Sequence, residues 1–139
     1  MFAALPLLAL PVLIYNALAL SMPQRFHSAL AQDRMAQTIL TVPTASGGAW
    51  MIDLGDLLVF LTLVILFIEL LKSTTSRQVA IINHSLSMVL FVFCLVEFLL
   101  FRAFATSTFF LITTMVVLDV LAGFIVTIVA SRREIDVVH

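Results

Sequence analysis

Charged side chains are scarce in this sequence. Only 11% of its 139 residues are Asp, Glu, Lys or Arg, whereas 63% are hydrophobic, and the mean hydropathy is +1.20. A soluble domain carries about 25% charged residues, so a water-soluble fold is excluded. Seven basic and eight acidic residues give a net charge of −1, which provides no basic surface for nucleic acid.

Cysteine, histidine and glycine are also rare. The single cysteine, Cys94, excludes an internal disulfide and a metal cage built only from cysteines, and its apolar surroundings are typical of a small packing residue. The three histidines show no His-x-x-x-His or Glu-x-x-His spacing, so no metal or haem site is expected in one chain. The alternative is a metal or haem site formed by two copies of the chain, each of which contributes His84 across a dimer axis. No nucleophile elbow or glycine-rich phosphate loop occurs, so no cofactor is expected and a non-enzymatic role is favoured.

Long apolar segments dominate what is present. Four of them, near residues 2–20, 53–71, 79–101 and 108–130, are long enough as helices to cross about 30 Å of hydrocarbon. We therefore predict an all-α fold, in which residues 1–139 form one integral membrane domain, a polytopic four-helix bundle.

The first span carries two alternatives of its own. Ala29-Leu30-Ala31 imitates the cleavage site of a signal peptide, but no positive charge precedes Phe2, so a retained span is favoured. Pro6 and Pro11 are expected to bend it.

Residues 22–50 are the one region of mixed polarity. They predict an extramembrane loop of roughly 30 residues, or a surface helix over 24–40 whose apolar strip is interrupted by Asp33 and Gln37. Trp50 marks the return to the membrane boundary. Asp53 and Asp56 predict a capped helix start, with a weak outer cation site as the alternative.

The orientation follows from the basic residues. An even number of spans places both termini on one side, where four basic residues lie, against three on the other side (Lys72, Arg77, Arg132 and Arg133 against Arg25, Arg34 and Arg102). The positive-inside rule then favours cytoplasmic termini. The expected location is a bacterial inner (plasma) membrane.

In each of the last three spans, the polar residues lie on one face when the span is wound as a helix. We expect these polar seams to face one another, within one bundle or across copies. Gly123, Ala122 and Gly55 are predicted helix-contact residues. The seam residues are Glu69 on the second span, Asn83, His84, Ser87 and Glu97 on the third, and Thr108, Asp119 and Thr127 on the fourth.

Asp119 carries the strongest functional signal because it lies at the centre of an otherwise uncharged stretch, 109–130. A carboxylate at that depth costs about 2.5–3.5 kcal/mol, so it must face protein or water. Glu69 is predicted to lie about 10 Å from the level of Asp119 toward the inner surface, and Glu97 about 10 Å toward the outer surface. Glu69 can pair with Lys72 or His84, and Arg102 can neutralise Glu97.

Two functional hypotheses follow, and a third is weaker. The first is a self-associating protein whose intramembrane carboxylates line a pathway for protons or a monovalent cation. The second is an accessory or assembly subunit of a larger membrane complex, with the 22–50 loop as its docking element. A lipid-modifying enzyme is the weakest, because the carboxylates are spread through the membrane depth instead of lining one pocket. The expected partners are the lipid bilayer and copies of the chain or another membrane subunit.

Overall fold

The computed structural model describes residues 4–22, 28–74 and 77–138, and these form five α-helices and one small hairpin. In chain order they are α1 (Ala9–Leu20), α2 (Ser28–Met35), β1 (Thr38–Pro43), β2 (Ala49–Asp53), α3 (Leu54–Lys72), α4 (Arg77–Leu100) and α5 (Ser107–Val138), with a 3₁₀ turn at Arg102–Phe104 before α5. We call the end near β1 and β2 the hairpin end, and the opposite end the lysine end, after Lys72.

Among the described residues, α3, α4 and α5 are long and apolar enough to cross a membrane. This confirms three of the four predicted spans. They run alternately up, down and up, but α5 packs against both α3 and α4, which hardly touch each other although they are consecutive. The last helix is therefore the central one of the three.

The first predicted span is helical only over the 12 residues of α1, about 18 Å, which is too short to cross alone. The two prolines, which were expected to bend this span, lie at its start. Pro6 precedes α1 in a turn, where its carbonyl accepts from the amide of Ala9 at 3.1 Å, and Pro11 lies in the first turn. Proline is tolerated in a first turn because those amides have no intrahelical partner. The two prolines thus set where α1 begins.

The loop prediction needs the largest correction. The helix in this region spans only Ser28–Met35, and residues 24–27 of the predicted helix lie outside the described residues. The chain then forms an antiparallel hairpin, so the all-α prediction was wrong for 38–53. The sequence Thr-Ile-Leu-Thr-Val is rich in β-branched residues, and Gly47 adopts φ +83° in the turn.

The start of α3 and the end of α5 show how polar residues act at helix ends. The backbone amide of Asp53 donates to the Asp56 carboxylate at 3.2 Å, half of a capping box, so these residues serve the helix start as predicted. α5 does not end before Arg132 but continues to Val138. Arg and Glu are good helix formers, so the loss of apolar character does not stop the helix.

Candidate functional site

All three intramembrane carboxylates are buried inside a single chain. Glu69 is 0% exposed, Asp119 5% and Glu97 6%. A buried carboxylate needs hydrogen-bond or ion-pair partners, and each has at least one in this chain. Burial of the polar seams therefore does not require a second copy, which removes the sequence argument for self-association.

At the lysine end, Glu69 joins α3 to the turn that precedes α1. Its Oε2 accepts from the amide of Leu7 at 2.9 Å, and its Oε1 lies 3.2 Å from Lys72 Nζ. Lys72 Nζ also donates to the carbonyl of Leu5 at 2.6 Å. The Glu69–Lys72 pair weighed from the sequence is thus present, and its carboxylate is fully buried beside the turn that precedes α1.

In the middle of the bundle, Asp119 joins α5 to α4. Ser87 Oγ donates to Asp119 Oδ2 at 2.6 Å, and both residues are buried. The sequence indicated no basic partner for Asp119 at its own depth, and the partner that the structure shows is the Ser87 hydroxyl.

His84 is held by packing and not by hydrogen bonds. Both ring nitrogens are buried with no partner among the described residues, so the predicted Glu69–His84 pair is not made. The ring lies over Gly123 and meets Phe124 edge to face, with centroids 4.6 Å apart. The absence of a Cβ at Gly123 lets the ring approach the α5 backbone.

We expect Gly123→Val to lower the stability of the protein by about 1–3 kcal/mol, because a Cβ at this position would overlap the His84 ring. The midpoint of thermal denaturation in detergent measures the loss. In a His84→Ala background the same substitution should cost much less, since the clash is gone. Equal losses in both backgrounds would show that the ring does not limit this contact.

At the hairpin end, Glu97 joins α4 to α1. Asn16 Nδ2 donates to Glu97 Oε2 at 3.2 Å and to the carbonyl of Val12 at 3.0 Å. Arg102, the partner expected from the sequence, is exposed and forms no salt bridge within the described part of the chain. Tyr15 beside Asn16 is fully buried, and its hydroxyl contacts the Ala103 carbonyl at 2.9 Å and Thr106 Oγ1 at 2.6 Å.

Sequence reasoning missed Tyr15 and Asn16 as site residues. The signal was present, because these two are the polar residues within the first apolar segment. A polar side chain in hydrocarbon marks a helix face that meets protein. Their partners depend on how α1 docks, which composition does not reveal.

The remaining predicted residues divide into buried and exposed. Asn83 is 3% exposed and its Oδ1 has no partner among the described residues. Thr108 is buried against Gly55, where an added Cβ would lie 2.5 Å from the threonine hydroxyl and 3.2 Å from the carbonyl of Met35. Thr127 is exposed and donates to the Gly123 carbonyl of its own helix at 2.9 Å, so it does not join the buried seam. Ala122 is half-buried.

The fold and these contacts define a class: a small helical membrane protein with a hydrogen-bonded polar interior. No family model, curated protein or solved structure matches the chain. Its function must therefore be inferred from its own geometry.

Proposed function

We propose that the protein moves protons across the membrane along Glu69, Asp119 and Glu97, inside one bundle. The observation that carries this proposal is the direction of Asp119, which is buried in the bundle and bound to Ser87 at 2.6 Å instead of facing lipid. Ionisable groups buried in membrane-spanning helices commonly mark ion paths and proton relays. The first apolar segment supports the same row of carboxylates, since the turn before α1 contacts Glu69 at the lysine end and α1 itself contacts Glu97 at the hairpin end.

The surface is partly open beside both outermost carboxylates. A groove of about 290 Å³ opens at the hairpin end, and Asn16, Glu97 and Phe101 are among its lining residues. At the lysine end, the Lys72 side chain that contacts Glu69 is 16% exposed. The proposal requires that protons enter and leave at these two places.

The arrangement of the three carboxylates favours protons over larger cations. A metal cation needs several oxygen ligands at one level, whereas each carboxylate here lies at its own level with one or two partners.

The distance between the Asp119 and Glu97 levels is too long for a direct proton transfer, because Ser87 and Glu97 are separated on α4 by about 15 Å of helix. The Thr113 hydroxyl, which lies between these levels on α5, is buried with no partner among the described residues. A transient water bound there would shorten the gap.

Proteoliposomes with an entrapped pH dye test the proposal. After a voltage is imposed, the wild-type protein should acidify or alkalinise the lumen faster than empty liposomes. Asp119→Asn keeps the size of the side chain but cannot exchange a proton, so the flux should fall at least about tenfold, equivalent to about 1.4 kcal/mol in barrier. Asp136→Asn makes the same chemical change at an exposed site on the same helix and should leave the flux unchanged. Absence of flux, or equal flux in Asp119→Asn, contradicts the proposal.

A second candidate function is supported by the uneven covering of α5. Its buried residues end at Val120, and most of the helix from Leu121 to Val138 is exposed. An accessory subunit would use this uncovered half, on which Ile125 is 62% exposed and Ile128 52%, to bind a different membrane protein. That function predicts co-purification of a second chain in fixed stoichiometry from mild detergent. Copies of this chain alone would instead support self-association.

A further inference from the structure

The hairpin presents one continuous apolar face. Leu40 pairs with Ile52 and Val42 pairs with Trp50 in the antiparallel register. Directly paired residues project from the same side of a sheet, so these four side chains form one surface, which we call the Trp50 face. Val42 and Ile52 are half-buried, whereas Leu40 is 54% exposed and Trp50 57%, so the protein leaves these last two side chains mainly uncovered.

The hairpin also lacks charge. From Thr38 to Ile52 the sequence contains no Asp, Glu, Lys or Arg. Exposed two-stranded edges in water are normally protected by charged residues, and an uncharged apolar face there would promote aggregation. This composition instead fits the boundary layer between headgroups and acyl chains, where tryptophan is enriched.

The position of the hairpin supports the same conclusion. β2 ends at Asp53 and α3 begins at Leu54, so no linker separates the hairpin from a membrane-crossing helix. Its base is fixed, because the Leu54 amide donates to the Gln37 carbonyl at 3.0 Å and Thr38 Oγ1 donates to Asp53 Oδ1 at 3.1 Å. The strands extend about 20 Å at most, too short to cross the bilayer. The hairpin therefore lies directly at the end of an apolar helix, on which Phe60 is 65% exposed.

We infer that the hairpin is an interfacial anchor whose Trp50 face binds the surface of a neutral phospholipid leaflet. The face lies on the acyl-chain boundary, with the opposite face toward water. This interaction does not depend on the proposed proton function. It fixes α2 and the hairpin over the hairpin end, where Gln32 Nε2 donates to the Ala105 carbonyl at 3.4 Å.

Trp50 is the only tryptophan, so its fluorescence reports on this face without labelling. The full chain is reconstituted in phosphatidylcholine vesicles that contain lipids brominated at shallow or deep acyl positions. Shallow bromines should quench Trp50 about twofold more than deep bromines, because an indole at the interface lies above the acyl-chain centre. Aqueous acrylamide should quench it weakly. Strong acrylamide quenching with no quenching by brominated lipid overturns the inference.

Two neighbouring substitutions on β1 make the test specific. Leu40→Asp places a charge on the Trp50 face and should reduce quenching by brominated lipid at least about twofold, since a charge is disfavoured at the acyl boundary. Thr41→Asp places the same charge on the opposite face and should change little. Equal effects of both substitutions contradict the assigned face. Protection from acrylamide that is lost on diluting the protein in lipid shows that a second copy covers the face, which also overturns the inference.

Discussion

Replacing Glu69 with leucine is expected to destabilise the protein by about 3–5 kcal/mol, because it removes one partner of a buried ion pair and leaves the other. The carboxylate is fully buried, accepts from the amide of Leu7 and pairs with Lys72. Leucine fills much of the space but accepts no hydrogen bond, so the amide and the ammonium group both lose a partner. The midpoint of thermal denaturation in detergent, followed by size-exclusion chromatography, should fall by several degrees.

Two further variants separate the ion pair from the packing. Glu69→Gln retains an oxygen that can accept from Leu7, so its loss should be smaller than that of Glu69→Leu. Adding Lys72→Met to Glu69→Leu should recover part of the stability, since no ammonium group is then left without its carboxylate. If Glu69→Leu is as stable as the wild type, the contact between α3 and the chain before α1 contributes nothing to the fold.

The three long spans could be predicted because their signal is local and strong. An uninterrupted apolar run predicts the length of a membrane helix, and Asp53 and Lys72 mark both ends of α3 directly in the sequence. The first segment carried the same apolar signal but forms a helix of only 12 residues. Apolarity indicates which residues avoid water. Proline, which removes backbone donors, decides where a helix can start.

The hairpin was missed because its strands are short and their pairing is not local. A helical strip over 24–40 competed with the β-branched run Thr38–Val42, and the polar interruptions at Asp33 and Gln37 were the clue against a continuous helix. β1 is stabilised by β2, which lies beyond the Gly47 turn. Two-stranded pairing of this kind depends on context more than on intrinsic propensity.

The polar site was only partly visible in the sequence. Helical periodicity groups Asn83, Ser87 and Glu97 on one face of α4, and the structure buries all three. Periodicity does not identify the neighbouring helix, so Asn16 was not assigned to Glu97. It also treats a helix as covered along its whole length, which placed Thr127 in the seam although its side chain is exposed and bonds to its own helix.

Tyr15→Ala is expected to destabilise the protein by about 3–5 kcal/mol, because a large aromatic side chain leaves a cavity that the surroundings fill only in part. The ring is fully buried, with centroids 5.3 Å from Phe104 and 4.8 Å from Phe109. Its hydroxyl donates to the carbonyl of Ala103 at 2.9 Å, and this bond is lost with the side chain. The loss should appear as a lower midpoint of thermal denaturation in detergent.

Tyr15→Phe separates the hydroxyl from the ring and should cost about 1–3 kcal/mol, the penalty for leaving a buried acceptor unpaired. Because Tyr15 and Asn16 are adjacent on α1, the larger cavity should also loosen the contact between Asn16 and Glu97. Under the proposed function, Tyr15→Ala therefore changes proton flux more than Tyr15→Phe does. A Tyr15→Ala protein with wild-type stability and flux would mean that α1 neither holds the bundle together nor positions Glu97, and the file of carboxylates would then have to work without it.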